Sequence, residues 1–195
     1  MVTDPPPKAA AKRKEFQQSD ALRLPMPDGF ALRDATCGFE AAQATGQGPP
    51  VLSGGRRLLE VMAGHYEVPI PALQVLGVRP HRVSEGQLAY ELFGDYTPET
   101  QRIRIWTRTA RLGRPTSFRG LLSTLLHEFC HHLDVRKLGL SGTPHTRGFF
   151  HRIDDLYHLA LDTPPERRRP LVWIRSGSTW RIDWRRLRPS RSPTP

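Results

Sequence analysis

The chain has 195 residues, 37% of them hydrophobic, with 19 prolines, 16 glycines and a net charge of +10. That size and composition exclude a second sizeable core and put much of the chain in linker or tail. The charge points to a polyanionic neighbour such as nucleic acid, or to no more than a basic soluble surface.

Only two cysteines occur, Cys37 and Cys130, which excludes a disulfide framework or a cysteine-rich zinc ribbon and suits a reducing, cytoplasmic setting. The basic cluster Lys8, Lys12, Arg13 and Lys14 is followed by Glu15, Gln17, Gln18 and Asp20, where a signal peptide needs apolar residues. No apolar run approaches the roughly 18 residues of a membrane span.

In chain order, residues 1–54 read as mostly irregular, because Pro5-Pro6-Pro7, Pro25, Pro27 and Pro49-Pro50 punctuate every candidate element. Residues 56–65 predict a short amphipathic helix through Leu58, Leu59 and Met62. Strands are expected at 73–78, 88–93 and 101–108. The last two would pair antiparallel across the turn Gly94-Asp95-Tyr96-Thr97-Pro98, with Ile103 and Ile105 inward and Arg102, Arg104, Trp106 and Arg108 outward. A long helix opens at Pro115-Thr116-Ser117 and reaches about residue 136 or 137. A second runs over 146–161, and a hairpin joins 171–174 to 180–184 around Ser176-Gly177-Ser178, ahead of an Arg/Pro/Ser tail. The fold expected is α+β: an irregular region at 1–54, a folded domain at 55–163 and a basic hairpin and tail at 164–195.

The chemistry sits in His127-Glu128-Phe129-Cys130-His131. On a helix, residues four apart lie about 40° apart around the axis, so both imidazoles can grip one ion. Glu128, about 100° round from His127, reaches a water on that ion without being a ligand. Phe118, Leu122, Leu125, Phe129 and Leu133 form an apolar stripe. The histidines lie nearly opposite, among Gly120, Ser123, Thr124 and Asp134. Histidines that merely face solvent are the plainer alternative.

A hydrolytic Zn2+ takes three protein ligands and keeps one position for water. His145, at the mouth of the next helix, is the best third ligand; His151, Asp154 and Asp155 are alternatives, and His132 points away towards the apolar stripe. The pattern H-E-x-x-H-x-x-G-x-x-H fails, since Asp134 and Lys137 stand where it needs Gly and His. A gluzincin arrangement lacks its downstream Glu.

The stretch 117–150 resembles the SprT-like (Spartan-like) zinc metalloprotease domain. Leu125-Leu126-His127-Glu128 and His145-Thr146-Arg147-Gly148-Phe149 stand where that family has its H-E-x-x-H helix and its third His in an H-G-x-x-F-like motif. The wider resemblance covers about 56–161. It implies a zincin-like, minigluzincin-type core, with a small antiparallel sheet packed on the active-site helix, and a zinc-dependent peptidase, in some members one that degrades proteins held on DNA. Thr146 replaces the family's usual Gly, and the zinc ribbon of many bacterial relatives is missing.

The expected mechanism has a metal on His127, His131 and His145 and Glu128 as general base, with Tyr157, His158 or Arg147 as candidate oxyanion donors. The strand at 101–108 is the candidate edge for aligning a peptide substrate. Nucleic acid is a further candidate partner, through Arg167, Arg168, Arg169, Arg175, Arg181, Arg185, Arg186 and Arg188 interleaved with Trp173, Trp180 and Trp184, although the tryptophans also suit hairpin packing. Two other readings compete: a nucleic-acid-binding protein with a structural or degenerate zinc site, and a zinc hydrolase acting on a small amide in a closed pocket.

Overall fold

Three helices occupy the N-terminal region expected to be irregular: α1 (Ala10–Ala21), α2 (Gly29–Ala44) and α3 (Gly48–Tyr66). The computed structural model describes residues 1–84 and 87–187. The prolines misled because they stand at helix starts. Pro49 and Pro50 lie in the first turn of α3, where backbone N–H groups lack helical partners anyway and proline costs little. Pro27 precedes the cap Asp28, whose Oδ1 accepts from Phe30 N at 2.8 Å to start α2. Leu32, Ala35 and Phe39 of α2 pack into the core with Val51, Leu58, Leu59 and Met62 of α3. α1 has no comparable apolar stripe; its one buried residue is Ser19, so polar contacts dock it.

The strands also differ from expectation. β1 (Ala72–Val78) runs parallel to β5 (Arg102–Arg108), and β4 (Gly94–Thr97) runs antiparallel to β5 on its other side, giving a mixed sheet of order β1-β5-β4. The segment read as a turn is therefore itself a strand, closed by a tight turn in which Gln101 takes φ 50°. β2 (His81–Ser84) and β3 (Gln87–Glu91) form a separate hairpin, so the strand expected at 88–93 does not join β5. Alternation in β5 holds for Ile103 and Ile105, both fully buried. Trp106, expected outward, is also buried, and the Arg104 guanidinium lies 5.6 Å from its ring.

α4 (Phe118–Arg136) starts at Ser117, whose Oγ accepts from Gly120 N at 3.2 Å. Its predicted stripe is buried against α3 and the sheet. α5 (Arg147–Ala160) starts at Thr146, whose Oγ1 accepts from Phe149 N at 3.0 Å and bonds Ser19 Oγ at 3.0 Å. Thr146 is thus a helix cap and a tie to α1. Beside it, a side chain at Gly148 would sit 2.1 Å from Ser19 O, so only glycine lets α1 approach α5 this closely. A short 3-10 turn (Pro165–Arg167) leads to the hairpin β6 (Trp173–Ser176) and β7 (Thr179–Ile182), turned at Gly177 with φ 59°, and to the single-turn helix α6 (Trp184–Leu187). The tail expected at 188–195 lies outside the described residues. The architecture is α+β with small sheets. Among the described residues, no helix is long and apolar enough to cross a membrane.

Candidate metal centre

His127 and His131 lie one turn apart on α4, and the loop before α5 carries His145 to the same point. His127 Nε2 is 3.1 Å from His131 Nε2 and 3.2 Å from His145 Nε2. These three side chains form a group able to hold a metal ion. A tetrahedral ion with bonds of about 2.0–2.1 Å to nitrogen would separate its ligands by about 3.3 Å, close to these spacings.

The outer nitrogens fix the tautomers. Thr143 Oγ1 donates to Asp134 Oδ2 at 3.1 Å and so can only accept from His131 Nδ1, at 2.5 Å, which leaves His131 Nε2 a bare lone pair. Asp4 Oδ2 faces His145 Nδ1 at 3.5 Å and accepts the His145 backbone N–H at 2.8 Å, which favours the Nδ1–H form there too. Burial drives the pKa of His127 down to about 3 and that of His131 to about 2, with neighbouring imidazoles adding to the shift, so both rings are neutral. His127 Nε2 can give a proton to only one of two lone pairs. At least one contact therefore sets lone pair against lone pair, and a cation at the centre removes the conflict. The donor set fits zinc.

The rings rest on Phe149, whose centroid lies 5.1, 4.6 and 5.1 Å from those of His127, His131 and His145. His145 is the outer member, its side chain 35% exposed. Behind His131 the relay continues inward: Asp134 Oδ1 accepts from Arg152 Nη2 at 2.7 Å, both side chains being fully buried. Arg152 also donates to Ser19 O at 3.0 Å at the end of α1. Thr143 holds its place with φ 34°, a left-handed backbone that a β-branched residue adopts only under constraint. Asp134, expected on the open face of α4, is thus buried as part of this support.

Glu128 is buried against β4, where a side chain at Gly94 would lie 2.5 Å from Thr124 Cγ2 and 3.0 Å from Glu128 Oε1. Burial, with the charge of Asp95 adding to it, pushes the Glu128 pKa up to about 8.

The other candidate ligands lie elsewhere. His132 is fully buried, with Nε2 2.8 Å from Pro69 O and Nδ1 3.0 Å from Tyr96 Oη. His151 Nε2 accepts from Trp173 Nε1 at 3.3 Å, and Asp154 and Asp155 face Arg168. Of the oxyanion candidates, Arg147 is held by Asp20 at 2.6 Å and His158 faces Asp154 at 3.4 Å. Tyr157 is half-buried and lines a cavity with His158. The strand 101–108 has partners on both sides, so it is not an edge; the edge beside Glu128 is β4. Asp4, Ser19, Thr143 and Arg152 carry no motif, and only the folded chain brings them to the histidines. Comparison with protein-family models, with curated proteins and with solved structures finds no match for the chain.

Proposed function

We propose that the protein is a zinc-dependent peptidase with a zincin-like core of SprT-like type. The observation that carries this reading is the convergence of three histidine Nε2 atoms, two of them with tautomers that aim lone pairs inward, beside a buried Glu128 that takes no part in the triad. A purely structural site has no use for that carboxylate.

Zinc, when bound, supplies Lewis acidity that lowers the pKa of a water molecule towards about 7 and polarises the scissile carbonyl. Glu128 accepts the water's proton on its carboxylate and delivers it to the leaving amine. Burial and the Asp95 charge favour its protonated form, and a cation beside it would favour the ionised form that accepts a proton. Gly94 leaves room for the carboxylate, and β4 offers its free edge to an extended peptide by strand addition. Of the three oxyanion candidates, Tyr157 is the one whose polar atom is not already facing a carboxylate among the described residues. Casein cleavage that stops with a zinc chelator and returns when zinc alone is added supports the proposal; cleavage unaffected by the chelator refutes it.

A further inference from the structure

Behind Phe150, which neighbours the histidine cluster, residues of α4, α5 and the chain after Pro164 line an open cavity of about 570 Å³. Its apolar floor is Phe150, Ile153, Leu171 and Ile182. Arg119, Arg167 and Arg169 line it as well, and none of the three has a carboxylate partner among the described residues. The acidic residue in the wall, Asp154, already faces His158 at 3.4 Å and Arg168 at 3.5 Å. Three exposed like charges at the rim of an apolar groove add their potentials, so the cavity favours an anion on a short apolar stem.

The cavity adjoins the metal centre. The Phe150 ring lies 5.9 Å from the His145 ring and 6.3 Å from the His127 ring, and Ser123, in another wall, lies one helical turn before His127. A peptide residue spans about 3.3–3.6 Å, so the cavity is within one or two residues of a carbonyl held at the histidines.

We propose that this cavity is a specificity pocket selecting an Asp or Glu side chain beside the scissile bond, which makes acidic peptide segments the preferred substrates; this rests on the peptidase reading above. Single-stranded nucleic acid fits less well because it needs open stacking platforms. Trp106 is buried, Trp173 bonds His151, and Trp180 packs under Arg147 at 4.8 Å, which leaves a single well-exposed indole, Trp184 in the cavity wall, where a strand of stacked bases needs several.

The test measures fluorescence anisotropy of two labelled octapeptides, alike except for Glu or Lys at the two central positions, with zinc-loaded Glu128→Gln protein. The Glu peptide is expected to bind about five- to tenfold more tightly at low salt. Adding Arg119→Glu with Arg169→Glu should invert the ratio, and Arg119→Gln with Arg169→Gln should bring it near one. Equal affinities in the parent, or a ratio unmoved by either pair of changes, overturns the pocket, as does an oligonucleotide that displaces both peptides equally. Inversion of the ratio alongside a Glu128-intact protein that cleaves neither these peptides nor casein keeps a pocket for acidic side chains and removes the peptidase reading. Equal binding with cleavage of both peptides does the reverse.

Discussion

Replacing Arg152 by methionine separates two consequences of one buried network. Arg152 and Asp134 are both fully buried and 2.7 Å apart, so the single change leaves a carboxylate in the interior without its counter-charge. Losing one member of such a pair costs about 3–5 kcal/mol, and a chain of this size loses roughly 2–4 °C of Tm per kcal/mol. A fall of roughly 6–20 °C is expected in thermal unfolding followed by circular dichroism. Removing both charges, with Arg152→Met and Asp134→Leu together, should recover most of that loss, because a paired ion set gains little over well-packed apolar side chains. The Nε of Arg152 also has no hydrogen-bond partner among the described residues, which adds to the cost of keeping it buried. Zinc affinity should not recover. Asp134 accepts the Thr143 hydroxyl that orients His131, so the double variant should bind zinc about 10–100-fold more weakly in chelator competition. A double variant less stable than the single one, or one that keeps full zinc affinity, refutes the reasoning.

Other outcomes follow from the same geometry. Asp4→Asn should weaken zinc binding by about 10–100-fold by loosening His145, as read by chelator competition, while Tm changes little because Asp4 is half exposed. Gly94→Ala should lower casein cleavage at least about tenfold with zinc content retained, since the new methyl would displace Glu128. Burial alone would raise the pKa of Asp20, but bonds from Arg147 and the backbone at the start of α5 hold it below the usual carboxylate range. The contribution is therefore present above the unfolded value of about 3.9 and lost as pH falls through the lower folded value. Asp20→Asn should cost about 1 kcal/mol at neutral pH, and the difference from wild type should fade at acid pH in urea unfolding.

The parts of the fold legible in the sequence are those where one local signal decides. Ser117 and Thr146 start their helices as caps, the stripe from Phe118 to Leu133 marks the buried side of α4, and Gly177 turns the last hairpin. His127, His131 and His145 could be nominated because helical spacing and a following cap place them. What could not be read depends on distant partners. α1 has no apolar period to betray it, and it docks through Ser19, Asp20 and Glu15 onto residues more than 120 positions away. Pro49 and Pro50 look alike in a loop and in a first helical turn. β5 carries the same alternation whether its neighbour is β3 or β4, and only the parallel addition of β1 makes it central. Asp134, read as polar and therefore outward, is buried because Arg152 meets it from α5.

A zinc ion on three histidines, with Glu128 acting on water, can be checked by zinc content per chain, measured on purified wild type, Glu128→Gln and His145→Ala with casein cleavage on the same samples. About one zinc is expected in wild type, the same zinc without cleavage in Glu128→Gln, and loss of both in His145→Ala. Wild type without zinc, or a Glu128→Gln protein that cleaves casein at the wild-type rate, would contradict it.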